Sequence, residues 1–189
     1  MPPSVGHRVI GRRINVVGNT CSGKSTLGAT LAERLDVPFV ELDALNWQPN
    51  WVESPPELFR ERIRDATEGD AWVVAGNYST HSRAVFWPRL ETVVWLDYPL
   101  PLILRRVVAR SYRRWRTNEL LWGTNRERFW RQFSHRDSLL WWAVKSQRSR
   151  RRRLESTIAD PQWGHISFTR LRSPRQAERW LAEALPAAG

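Results

Sequence analysis

The sequence predicts an α/β fold in which a parallel sheet of five short strands carries helices on both faces. Three observations lead there. The residues Gly18, Asn19, Thr20, Cys21, Ser22, Gly23, Lys24 and Ser25 fit the pattern G-x-x-x-x-G-K-[ST] without a mismatch. They stand between the apolar run Ile14, Asn15, Val16, Val17 and a segment, 26–35, with Leu27, Leu31 and Leu35 at helical spacing. Short apolar runs then alternate with helical patterns to the end of the chain, as βα units do.

Taken in order, residues 1–11 read as a polar tail and 12–17 as the first strand. The glycines of the following turn let consecutive amides point inward, and the helix after it aims its positive end at the same place. Phosphate is the chemistry that such a turn serves. Lys24 would reach the β- and γ-phosphates, the Ser25 hydroxyl would hold Mg²⁺, and Thr26 closes the loop. Lys24 and Lys145 are the only lysines in a chain otherwise supplied with arginine, so a slim point charge stands where phosphate chemistry wants one. Cys21 needs only to be small.

Residues 38–42 form a second strand ending at Asp43, with Glu41 and Asp43 on one face. Ligands collect beyond the carboxyl ends of parallel strands, so both acids fall where chemistry happens. Residues 44–70 are read as an acceptor-binding segment: Trp47 and Trp51 flank Pro49, suited either to stacking on a planar acceptor or to packing on the next helix. Ser54, Pro55, Pro56, Glu57 read as a capping box with proline at the first helical position.

The third strand, 71–75, leads into Gly76, Asn77, Tyr78, Ser79, a floor for a small polar substrate, with Arg83 placed to grip an anionic group and Arg89 a weaker candidate. The fourth, 92–97, is apolar until Asp97, as an interior parallel strand should be. Asp97 reads either as a Walker B acid or as the cap of a helix from Pro99 to about Arg110. Residues 111–153 interleave arginines with Trp115, Trp122, Phe129, Trp130 and Phe133, the pattern of a helical lid that closes over a nucleotide, or of a basic aromatic surface for nucleic acid. The fifth strand, 165–169, is followed by Arg172, Ser173, Pro174, Arg175, Gln176, a second capping box that opens the last helix.

A net charge of +11 suits a polyphosphate binder as well as a nucleic-acid partner. The single cysteine excludes an internal disulfide and a cysteine-rich zinc site and favours a reducing compartment, hence a cytoplasmic protein. No apolar run is long enough to cross a bilayer.

This pattern resembles the nucleoside monophosphate and shikimate kinase group of P-loop proteins over nearly the whole chain from Arg12. The runs 42–47 (Leu-Asp-Ala-Leu-Asn-Trp), 76–79 (Gly-Asn-Tyr-Ser) and 95–99 (Trp-Leu-Asp-Tyr-Pro) look more closely like the adenylate-kinase-related proteins named for modulating DNA topology. The resemblance implies one P-loop NTPase domain over 1–189, strand order 2-3-1-4-5, and ATP with Mg²⁺ on Gly18–Ser25. It implies that Glu41 and Asp43 stand where shikimate-type kinases place an Asp-x-Asp pair, the first near the metal and the second at the acceptor hydroxyl. Arg106 and Arg110 match lid-base arginines, and Arg172 to Pro174 the segment that passes the adenine. Adenylate kinases carry an acid before the glycine of the third-strand loop and a Phe-Pro-Arg run after it; here the order is Ala75, Gly76, Asn77, Tyr78, which moves metal duty to Glu41 or Asp97.

The expectation is an ATP-dependent kinase with Lys24, Asp43, Arg106 and Arg110 at the reaction, acting on a nucleoside monophosphate or a hydroxylated metabolite. Asp43 is the base if the acceptor is a hydroxyl; Arg83 matters more if it is a phosphate. The rival expectation is a nucleotide-dependent nucleic-acid-binding ATPase that works through the region from Arg113 to Arg153.

Overall fold

Five parallel strands form the sheet: β1 (Arg13–Gly18), β2 (Phe39–Glu41), β5 (Trp72–Ala75), β6 (Thr92–Leu96) and β9 (Ser167–Leu171), in the order β2-β5-β1-β6-β9. This is the expected 2-3-1-4-5. The computed structural model describes residues 10–117, 120–121, 125–126 and 139–185, with backbone alone for the described residues of 118–140 and for 142. β1 is the central strand, pairing Val16 with Ala75 of β5 on one side and with Val94 of β6 on the other.

Both faces of β1 are buried, which is why its residues read as a nearly continuous apolar run. Ile14, Val16, Val94 and Leu96 meet Leu31 of α1 (Lys24–Leu35), Ile103 and Val107 of α5 (Leu100–Thr117) and Ala177 of the closing helix, α7 (Pro174–Ala184). Val17, Val74, Val93 and Trp95 meet Leu42 of α2 (Leu42–Asn46) and Phe59 and Ile63 of α3 (Pro56–Ala66) on the other side, with Phe86 and Trp87 after α4 (Ser79–Val85). The result is three layers, helix, sheet, helix. Asn15 is the polar exception in β1; its carboxamide donates to Val74 O at 3.1 Å and Gly76 O at 3.4 Å.

Several local expectations change. The second strand stops at Glu41, and Leu42–Asn46 forms a helical turn, so Glu41 and Asp43 do not share a strand face. Residues 47–53 are not a loop but a small antiparallel hairpin, β3 (Trp47–Gln48) and β4 (Val52–Glu53). Ser54 does not cap α3. Its amide and hydroxyl both donate to Asn46 O at 2.8 Å, fastening the end of that hairpin, and the cap position falls to Pro55. Pro56 then opens the helix, where a missing N–H costs nothing. The second capping box does form: Ser173 Oγ accepts from Gln176 N at 3.2 Å.

Of the lid, the structure describes the long α5, a backbone hairpin of β7 (Leu120–Leu121) and β8 (Asn125–Arg126), and α6 (Leu139–Ile158). Part of the basic aromatic surface expected over 113–153, the arginines and aromatics of 118–138, lies outside the residues whose side chains are described. α6 crosses the carboxyl edge of the sheet, placing Ala143 in one core layer and Leu154 against the other. No helix among the described residues is long and apolar enough to cross a membrane.

Candidate active site

The phosphate loop turns sharply off β1. Gly18 lies at φ +156°, and a Cβ there would sit 2.7 Å from Leu96 O. Gly23, at φ +94°, ends the loop as the cap of α1. No side chain caps that helix and no acid stands in its first turn, so its leading amides stay open to an anion. Lys24 Nζ donates to Asn19 O at 3.0 Å. Burial, above all, pulls the Lys24 ammonium down to a pKa of about 8; Asp43 opposes the shift, while Arg150 and Arg110 add to it. Cations therefore converge on this loop, the setting that a polyphosphate would relieve.

Glu41 and Asp43 reach the loop by different routes. Ser25 Oγ donates to Glu41 Oε1, joining two hard oxygen donors at the start of α1. Among the described residues no three His, Cys, Asp or Glu side chains group closely enough to hold a metal by themselves. A hydroxyl with one carboxylate nevertheless suits Mg²⁺, which keeps several waters and shares its site with substrate phosphate. Asp43 Oδ1 accepts from Tyr78 OH at 2.7 Å, and Asn46 Nδ2 donates to the same phenol oxygen at 3.4 Å. Burial and then the Asp43 charge raise the Tyr78 pKa, so the phenol stays a donor.

Asn77 binds the phosphate loop rather than offering its amide as an open floor. Its Nδ2 donates to Gly18 O at 2.7 Å and its Oδ1 accepts from Gly18 N at 3.0 Å. Gly76 is required beside it: at φ +149° a Cβ would meet Leu42 Cβ at 2.7 Å. Arg106 stretches from α5 to Ser22 O at 3.2 Å, its guanidinium 5.5 Å from the centre of the Tyr98 ring. Arg110 comes close enough to depress Lys24 electrostatically, and its Nε is buried with no hydrogen-bond partner among the described residues.

Arg83 is held 5.2 Å over Trp87 and donates to Thr157 Oγ1 of α6. Trp47 and Trp51 meet edge to face, 5.7 Å apart. Arg89 proves to be a helix cap, donating to Thr67 O at 3.1 Å, Glu68 O at 3.1 Å and Gly69 O at 2.7 Å beyond α3.

Asp97, expected as a Walker B acid or as a helix cap, pairs with two arginines in this structure. Oδ1 accepts from Arg151 Nη2 at 2.8 Å and Oδ2 from Arg170 Nη2 at 2.6 Å, with the side chain only 5% exposed. Both oxygens are committed, and the carboxylate anchors α6 to the sheet. A cavity of about 820 Å³ opens beside it, lined by Pro99, Leu100, Gln147, Arg148 and Arg172 among others. Arg172 thus faces this cavity, whereas the Ser173 hydroxyl is spent on its cap.

Sequence reasoning expects a helical lid here, but not the contacts that α6 makes with the phosphate loop. Arg150 Nη1 donates to Gly18 O at 3.2 Å, and burial lowers its pKa to about 10. Gln147 contacts Asn19, and Arg151 contacts Asp97. The signal that could have found it is helical spacing: Ala143, Gln147, Arg150 and Leu154 fall on one stripe.

No protein-family model matches the chain. It is 31% identical over 112 residues to shikimate kinase 3, chloroplastic, of Oryza sativa subsp. japonica, covering 52% of this chain and 39% of that one. It is 33% identical over 124 residues to the shikimate kinase of Synechococcus sp. strain CC9605, covering 58% and 61%. The chain thus spans well under two thirds of the rice relative's length. Among solved structures, shikimate kinase from Acinetobacter baumannii in complex with shikimate superposes with TM-score 0.52 at 21% identity, over 92% of this chain and 93% of that one. A gluconokinase from Sinorhizobium meliloti 1021 superposes with TM-score 0.50 at 19% identity, over 94% and 91%. With its loop, sheet order and flanking helices in place, the chain has the α/β P-loop fold of the shikimate kinase and gluconokinase structures.

Proposed function

We propose that this protein is an ATP-dependent phosphotransferase that moves the γ-phosphoryl group to a hydroxyl of a small acceptor. The observation that carries the reading is the convergence of Lys24, on an uncapped phosphate loop, with an oriented acid, Asp43, close enough to oppose the fall of the lysine's pKa. The names of the relatives and fold neighbours, shikimate kinases and a gluconokinase, support a hydroxylated acceptor over a nucleoside monophosphate. The runs 42–47, 76–79 and 95–99 support kinship with the adenylate-kinase-related topology modulation proteins within that fold.

In-line phosphoryl transfer asks little covalent chemistry of the protein; alignment and charge neutralisation do most of the work. Lys24 and the loop amides bind the phosphates, and Ser25 with Glu41 would hold Mg²⁺, which supplies further neutralisation. Arg106 and Arg110 bring positive charge to the same place from α5. Asp43, held by Tyr78, takes the acceptor's hydroxyl proton. Arg83 receives an anionic group of the acceptor, and Trp47 lines the rim of the hairpin. The nucleoside end of ATP lies toward Arg172, Ser173 and Pro174. A cytoplasmic setting and one catalytic domain over 1–189 go with this reading.

The test is an ADP-release assay with MgATP against a panel containing shikimate, sugar acids and nucleoside monophosphates, followed by phosphorus NMR of the product. Lys24→Ala is expected to lower turnover by at least about 10²-fold and Asp43→Asn by about 10²-fold or more. Unchanged transfer in Lys24→Ala would refute the site.

A further inference from the structure

Most of the contact between α6 and the phosphate loop passes through one side chain. Asn19, 5% exposed, occupies a position that the loop motif leaves open. Its Nδ2 donates to Ala143 O at 3.2 Å and to Gln147 Oε1; its Oδ1 accepts from Thr20 N at 2.8 Å and from Arg150 Nη1 at 3.3 Å. Gln147 continues the chain, donating to Tyr98 O at 3.2 Å. Binding phosphate needs the backbone amides of this turn, not a carboxamide. What the carboxamide does is join three successive turns of α6 to the loop.

That junction works against a force. Arg110 and Arg150 each lie close enough to Lys24 to lower its pKa. The Arg150 guanidinium, partly buried and set beside Lys24 and Arg153, would be better solvated outside the site. The hydrogen bonds of Asn19 oppose this.

We propose that Asn19 is a positioning residue: it seats α6 on the phosphate loop and so holds Arg150 beside the phosphates that Lys24 binds. The proposal rests on the nucleotide-binding reading above and goes beyond it by adding Arg150 to the phosphate site and giving its placement to Asn19.

The experiment is a double-mutant cycle on the full chain, read by calorimetric binding of the magnesium complex of a non-hydrolysable ATP analogue. Asn19→Ala and Arg150→Ala are each expected to weaken binding by about tenfold, and the double variant no further than Arg150→Ala alone. Gln147→Ala, made on the helix rather than in the loop, is expected to reproduce the Asn19→Ala loss and carries the cycle if Asn19→Ala does not fold. Losses that add in the double variant overturn the positioning role, because a merely structural asparagine would act independently of Arg150. Unchanged affinity in Asn19→Ala overturns it as well. Absence of binding by the unaltered protein is a different result; it sinks the nucleotide reading and this inference together.

Discussion

Asp97 shows how a residue's partners decide its role. An acid at the end of an interior strand beside a phosphate loop invites a metal, yet its two oxygens each accept from a guanidinium, and those arginines come from α6 and β9. In this structure the buried carboxylate is taken up by those two partners. Removing its charge would strand Arg151, 43% exposed and therefore partly rescued by water, and would leave Arg170, 28% exposed, with Glu155 as its remaining acid. Asp97→Asn is expected to cost about 2 kcal/mol, a fall of roughly 4–8 °C in Tm measured by circular dichroism, with the far-UV spectrum retained. Neither arginine is near Asp97 in sequence, so this pairing cannot be read from the chain alone. Lys24 is the opposite case: its role follows from its place in the motif, and only its depressed pKa requires the fold.

At the scale of elements, legibility follows periodicity. β1, β5 and β6 are apolar on both faces and α1 repeats its leucines every four residues, so each can be read directly from the order of the amino acids. The stretch after β2 cannot. Leu42 is the continuation of an apolar strand by pattern, but it turns inward at the start of α2 to fill the core under Phe59 and Ile63, and the acids separate as a consequence. Gly76 leaves room for that turn. Gly76→Ala is expected to destabilise the protein by about 1–3 kcal/mol in urea unfolding, through both its φ and the contact with Leu42. α6 is hidden for another reason. Arg150, Arg151, Arg152 and Arg153 are indistinguishable as letters, and only the rotation of the helix decides that the first meets the loop and the second meets Asp97.

For the molecule as a whole, the crowding of positive charge at the phosphate loop has a thermodynamic signature. Lys24 titrates near 8 when folded and near 10.5 when unfolded, so between those values the unfolded chain binds a proton that the native protein does not. Stability of the nucleotide-free protein therefore rises with pH from about 8 on account of this residue. Tyr78 has the reverse sign: its folded pKa is raised, so above 10 the native state keeps a proton that the unfolded chain has lost, and stability falls. Urea midpoints are expected to climb between pH 8 and 10; above 10 Arg150, lowered to about 10, adds to the climb while Tyr78 opposes it. In Lys24→Met the climb between pH 8 and 10 should shrink; an equal climb in both proteins would show that the lysine is not perturbed.

The carboxamide of Asn77 clasps both polar atoms of the Gly18 backbone, and this limits how such a chain could change its trade. Because the clasp belongs to the phosphate loop, any drift at that position disturbs the loop first, and under the proposed function the grip on fuel would suffer before the choice of cargo changed. If the proposed function holds, descendants with new tastes would be expected to vary Arg83 and to leave Asn77, and Tyr78 beside it, alone.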